Sequence, residues 1–234
     1  MAAAEGSSGR GDEKRGVHTK KWESQSYREQ DREIWPGRGN HILAQYDEDS
    51  VVVYQAFRPE IAEYAVAHQR FTGCPVYGEE RMTWIKPNFM WMMFRSNWAR
   101  KPNQERILAI WLHRDAFDQY LANAKRRGST REFKGTVRLQ WDPDHVPTGE
   151  RHAYRRAVQL GIKGVPTFAD GTDIVCIQDI TEFVREQAKL LKKKTYHESL
   201  LSARERVYIP NCKQAVEGAM LSLPPDSESI EIKS

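Results

Sequence analysis

The chain has 234 residues, of which 39% are hydrophobic and 29% charged, with a formal net charge of +4. That balance fits one domain with polar ends and a substantial core. It gives no run near the ~18 apolar residues of a bilayer span. Cys74, Cys176 and Cys212 are far apart without a C-x-x-C unit, which argues against a disulfide framework or a zinc site and for reduced thiols.

Residues 1–30 are rich in Gly, Ser, Lys, Glu and Arg and read as a disordered polar arm. They lack the apolar stretch of a secretory signal, so a cytoplasmic or nuclear location is expected. The globular domain is expected over residues 31–205, opening near Ile34-Trp35. His41 to Asp47 reads as a short strand and Val51 to Phe57 as a second one, dense in β-branched and aromatic residues, the pair suiting a hairpin. Pro59 opens a helix with Ile61, Tyr64, Ala65, His68 and Phe71 on one face, and Gly73 ends it. Met82 to Ile85 is extended in character, and a short helix follows Pro87.

Glu105 to Arg114 reads as a strand buried on both faces. Asp115 then caps a helix with Phe117, Tyr120, Leu121 and Ala124 inward, closed by Gly128-Ser129. Thr136 to Trp141 alternates as a strand ending in a polar corner, Asp142 to His145. A helix is expected through ERHAYRRAVQLG to Gly161, then a last strand, Asp173 to Ile180, and a final helix capped by Thr181 with Phe183, Val184, Ala188 and Leu191 inward. Residues 206–234 are expected to be a largely disordered tail. Together these predict an α+β fold, a mixed and partly antiparallel sheet with packed helices in a single domain.

The densest chemistry lies between Arg81 and Trp98, which holds Trp84, Trp91, Trp98, Met90, Met92, Met93, Lys86 and Arg95. Cations set among indoles suit a wall that stacks a flat ring and holds phosphate, and they equally suit a core seam with its cations at the rim. In the strand before Pro59, Tyr54 and Arg58 fall on one side, where both can face a cleft at its end. His145 and His152, seven apart beside Asp142 and Asp144, read either as an acid–base or metal cluster or as a polar turn with structural aspartates. No phosphate-binding glycine loop, HExxH or GxSxG is present, and Cys74 and Cys212 have no histidine partner in sequence.

The segments VYQAFRPEIAEYA, RMTWIKPNFMWMMFRSNW, NQERILAIWLHRDAF, VRLQWDPDH and RRAVQLGI resemble the family of domain of unknown function 4291, from about Ile34 to Lys194. A fainter likeness, to the ADP-ribosyltransferase superfamily, implies NAD as substrate and possession of that fold. On this likeness Tyr54 and Arg58 match the early motif, and Trp84, Lys86, Trp91 and Arg95 form the pocket. The late strand has Gln178 and Asp179 where that superfamily has a glutamate, which implies either that Asp179 or Glu182 takes the acidic role or that the fold is retained without the activity. The expected function is an NAD-dependent ADP-ribosyltransferase-like activity acting on nucleic acid. The alternatives are a non-catalytic module binding RNA or single-stranded nucleic acid and a protein-interaction domain without a small-molecule site. No metal and no membrane partner are expected.

Overall fold

The computed structural model describes residues 20–126 and 137–222. The expected turn at Gly128-Ser129, much of the Lys125 to Arg131 basic cluster and the outer parts of both polar ends lie outside them. The described chain opens with β1 (Ser24–Ser26), a helical turn α1 (Tyr27–Glu29) and a π-helical turn over Gln30–Ile34. Then come β2 (Gly39–Asn40), β3 (Ile42–Ala44), β4 (Ser50–Phe57), α2 (Pro59–His68), β5 (Thr83–Ile85) and α3 (Phe89–Ser96). The middle of the chain forms β6 (Arg106–His113), α4 (Arg114–Ala122), β7 (Lys125–Arg126), β8 (Val137–His145) and β9 (Arg151–Ile162). The rest is α5 (Pro166–Ala169), β10 (Ile174–Asp179), α6 (Thr181–Leu190), α7 (Tyr196–Ser199), β11 (Leu201–Ala203), β12 (Arg206–Tyr208) and α8 (Lys213–Ala219).

The architecture is α+β, as the sequence predicts. Its centre is an antiparallel sheet in the order β10-β6-β4. Successive residues of a strand point to opposite faces, so β4 and β6 each feed two cores. Val51, Val53, Leu108, Ile110 and Leu112 pack with Ile61, Ala65, Phe117 and Leu121 on one face, and with Leu139, Val158 and Leu160 beyond them. Val52, Tyr54, Ile107, Ala109 and Trp111 pack on the other face with Phe89, Met93, Val184 and Ala188. This explains why the β6 sequence is apolar without alternation. The second sheet is mixed: β8 and β9 pair antiparallel, β5 joins β9 antiparallel, and β2 and β7 add parallel edges. Tyr54 N donates to Lys86 O at 2.7 Å and Lys86 N to Tyr54 O at 3.2 Å, which ties the segment just after β5 to the central sheet.

Several expectations are corrected. The helix through ERHAYRRAVQLG is the long strand β9, hydrogen-bonded to β8 from Val137–Ile162 to His145–Arg151. Both of its faces carry buried residues near the C-terminal end, Ala157, Val158, Leu160 and Ile162, so the strand lacks the alternation that would set it apart from a helix. Asp142 to His145 is consequently strand, not a corner. The α2 terminus is Gln69, in the left-handed conformation, and not Gly73. At α4, His113 holds the capping position and Asp115 lies in the first turn.

Strand β3 pairs with β12, and the segment after it meets β4 through bonds around Asp47–Ser50, the Tyr46–Val51 bridge and Val52 N donating to Gln45 O at 2.8 Å, so the hairpin is confined to the residues near its turn. Packed chain also extends past both expected domain boundaries. Trp22 stacks edge-on against Phe183 with ring centroids 4.7 Å apart, and Tyr27 and Gln30 are buried. Beyond 205, β12 completes the β3 edge and α8 packs on α4. Thus β10 and α6 are not the last elements of their kinds.

Candidate functional site

A cleft of about 730 Å³ opens where the end of β4 meets β5, the start of α3 and the β8–β9 hairpin. This lies within the roughly 300–1,000 Å³ of small-molecule sites. Cations reach it from separate segments: Arg58 after β4, Arg81 before β5, Lys86 after β5 and Arg95 on α3. Gln55, Gln104, Gln140 and Gln159 supply amides, and Phe57, Tyr77 and Trp84 supply rings. Neither Asp nor Glu is among the lining residues. The amide and cation lining therefore presents donors to an anion, with aromatic faces beside them.

Local structure accounts for this placement. Strand β5 is held by Thr83–Ile162, Trp84–Gly161 and Ile85–Leu160 register pairs, so its last residue delivers Lys86 to the junction of the two sheets. Gly161 lets the Trp84 ring lie close, because a Cβ there would meet Met82 Sδ at 2.7 Å and the indole at 3.0 Å. Helix α3 is fixed at its N-terminus by two acceptors. Trp91 N donates to Asn88 Oδ1 at 2.7 Å, and Phe89 N to Glu205 Oε1 at 2.6 Å. Burial pushes the Glu205 carboxyl well above the usual carboxylate range, with the Asp144 charge adding to the rise and Phe89 N–H and Arg155 opposing it. Glu205 thus holds the α3 N-terminus as a buried acceptor.

Lys86 is 4% exposed, and among the described residues its Nζ donates only to Trp84 O, at 3.2 Å. Burial first, then the Arg95 guanidinium, lowers its amine to about 7, with Asp142 pulling the other way. Asp142 is not in ion-pair contact with it; it accepts from Gln140 Nε2 and Gln159 Nε2, each at 2.7 Å. Those two glutamines are directly opposed in the β8–β9 register. At the cleft wall Gln55 donates to Thr83 Oγ1 at 2.5 Å, while its own Oε1 is buried without a hydrogen-bond partner.

Of the residues singled out in the sequence, Arg58, Trp84, Lys86 and Arg95 come together in the cleft. Arg58 also pairs with Glu60 at 2.9 Å. Tyr54 is not on the lining: it is fully buried, accepts from Trp22 Nε1 at 3.1 Å and packs edge-on against Phe89. Burial raises its phenol far above the ordinary value. Trp91 packs away from the cleft against Phe94 and His145, with ring centroids 5.4 and 5.2 Å distant. Asp179 pairs with Arg106 at 2.7 Å and accepts from Thr181 N, and Glu182 is exposed in the first turn of α6; neither lines the cleft. Arg81, one of the three cations of the Arg81 to Trp98 stretch, also lines the cleft, and sequence reasoning missed Gln140 and Gln159 as site residues. Gln159 was hidden by the helical reading of its strand.

The His145–His152 grouping separates into structural roles. Asp144 and Arg155, each 1% exposed at the side chain, pair at 2.6 Å, and Arg155 also reaches Asp31 at 2.9 Å. His145 stacks on Phe94 with centroids 3.6 Å apart, and His152 Nδ1 accepts from Arg155 N at 3.0 Å. Among the described residues no group of three or more His, Cys, Asp or Glu is placed to hold a metal ion. Nor is any described helix long and apolar enough to cross a membrane.

The family described as Domain of unknown function (DUF4291) matches residues 41–208, well over half of the chain, and the chain belongs to it. None of the curated proteins matches the chain.

Proposed function

We propose that the cleft of this DUF4291 member binds a phosphate-bearing nucleotide, NAD foremost, as the first step of an ADP-ribosyltransferase-like reaction. The observation that carries the reading is the convergence of Arg58, Arg81, Lys86 and Arg95, with Trp84 and four glutamines, on one cavity. Guanidinium groups hold phosphate oxygens in a fixed geometry, an indole offers a stacking face, and amides hydrogen-bond sugar and base edges. NAD is singled out by the sequence resemblance, not by the cavity shape. In such a reaction a carboxylate would steady positive charge as the glycosidic bond loosens. Asp142 does not line the cleft itself but accepts from Gln140 and Gln159, which do, and it replaces Asp179 and Glu182 as the candidate.

Isothermal calorimetry with NAD, AMP and inorganic pyrophosphate tests this. Binding is expected for NAD, with Arg95→Ala and Arg58→Ala each weakening it about tenfold, ~1.4 kcal/mol. No heat with any of the three compounds, or affinities indifferent to both substitutions, would remove the reading.

A second reading rests on a different surface. Tyr154, 65% exposed, lies under the Arg38 guanidinium at 5.6 Å, beside exposed Arg151 and Arg156 on β9. That suits a single-stranded nucleic acid, whose binding would fall steeply with salt and weaken in Tyr154→Ala.

A further inference from the structure

The cleft holds one group that anion binding alone does not require. A lysine serving only as a phosphate contact is normally a hydrated, mobile ammonium at a site's rim. Lys86 is instead almost wholly buried, at the junction of the two sheets. A lysine present only to neutralise Asp142 would touch it, yet the two Asp142 oxygens are taken by Gln140 and Gln159. The charged groups around Lys86 are Arg95 from α3 and Asp142 from β8, with Arg58 and Arg81 on the same cleft wall. The single bond to Trp84 O orients the amine and uses one N–H.

We propose that Lys86 is the nucleophile of this cleft and that its amine condenses with the aldehyde of a phosphate-bearing substrate, such as the open-chain form of a phosphorylated sugar, to give a lysyl imine. The substrate class rests on the anion-binding reading above, since the neighbouring arginines would hold the phosphate. In the step, the nitrogen lone pair forms a C–N bond to the carbonyl carbon. The carbonyl oxygen then leaves as water with the two protons of the amine, and a C=N bond remains. No oxidant or reductant is consumed. Burial and Arg95 favour the reactive free base, lowering the amine from the ordinary 10.5 to about 7. At neutral pH this means on the order of a thousandfold more free amine than an ordinary lysine offers. The Asp142 charge favours the cationic form at Lys86 and would steady the protonated imine in the same way.

The test uses the full chain and pyridoxal 5′-phosphate as the aldehyde, trapped with borohydride and mapped by peptide mass spectrometry. One pyridoxyl group per chain is expected on Lys86 at pH 7.5, forming at least tenfold faster than on any other lysine. It should be lost in Lys86→Met and slowed by inorganic pyrophosphate, with a rate that rises with pH and levels off above about 7. Labelling spread over surface lysines and unchanged by Lys86→Met overturns the proposal, provided circular dichroism shows the variant folded. If Lys86 stays unlabelled while calorimetry still detects nucleotide binding, the nucleophile is refuted and the binding site stands. If phosphate-free pyridoxal labels Lys86 equally fast and pyrophosphate does not protect, the nucleophile stands and the anion site falls.

Discussion

At Lys86 the fold holds a cation in a place that disfavours its charge, and this has a consequence for stability. The unfolded chain keeps its proton up to about 10.5, whereas the folded chain releases it near 7. Between those values the unfolded state binds more protons, so raising the pH through the window stabilises the fold, and below it the folded state carries the full burden of a buried ammonium. Lys86→Met keeps the volume and removes the charge. We expect it to be more stable than the parent at pH 6 by ~1–4 kcal/mol, in the range seen when buried charges are replaced by apolar side chains. The gap should close toward pH 10, as read from urea denaturation at each pH. Position 86 was legible in the sequence as a cation among aromatics. Its burial was not, because nothing local indicates that the residue after β5 bonds to Tyr54.

Among the elements, β5 and β9 together decide the cleft. The extended character of Met82 to Ile85 and the helix after Pro87 are both present, as Thr83–Ile85 and Phe89–Ser96. Strand β9 was misread because Arg, Ala, Gln and Leu favour helices, while its pairing with β8 on one edge and β5 on the other fixes it as extended. Tertiary hydrogen bonding overrode local preference. The contact between these strands is tight at Gly161, where a methyl group would collide with Met82 and the Trp84 ring. We expect Gly161→Ala to displace Trp84, to lower stability by ~1–3 kcal/mol and to weaken nucleotide binding. Comparing thermal shift with and without NAD checks both effects. Binding that is retained in full would mean that the indole is not part of the site.

Across the whole molecule, segments distant in sequence close the structure. Arg155 joins β9 to Asp144 on β8 and to Asp31 in the opening segment, and its guanidinium lies over Trp35 at 5.2 Å. The C-terminal region contributes Glu205 at the α3 N-terminus, Tyr208 with its hydroxyl donating to Asp118 Oδ1 at 2.5 Å, and α8 against α4. A chain truncated after Glu205 would uncover Ile42, Leu43 and Ala44 along β3 and leave buried Asp118 without its Tyr208 and Asn211 partners. It is expected to lose its cooperative thermal transition by circular dichroism. Retention of that transition would show β12 and α8 to be dispensable additions.

The sequence by itself determined the α+β class, the doubly buried β6, the strand–turn–helix around Lys86 and four residues of the cleft. Each is written in local patterning: an unbroken apolar run, a proline at an element boundary, cations set among indoles. Tertiary structure alone decided that β9 is a strand, that both ends of the described chain belong to the core, that Tyr54 and Trp91 are packing residues, and that Asp179 and Glu182 lie away from the site. Those outcomes depend on which backbone groups find partners across the chain, and on which side chains neighbouring elements then cover. Neither quantity can be computed from a residue's own neighbourhood in sequence.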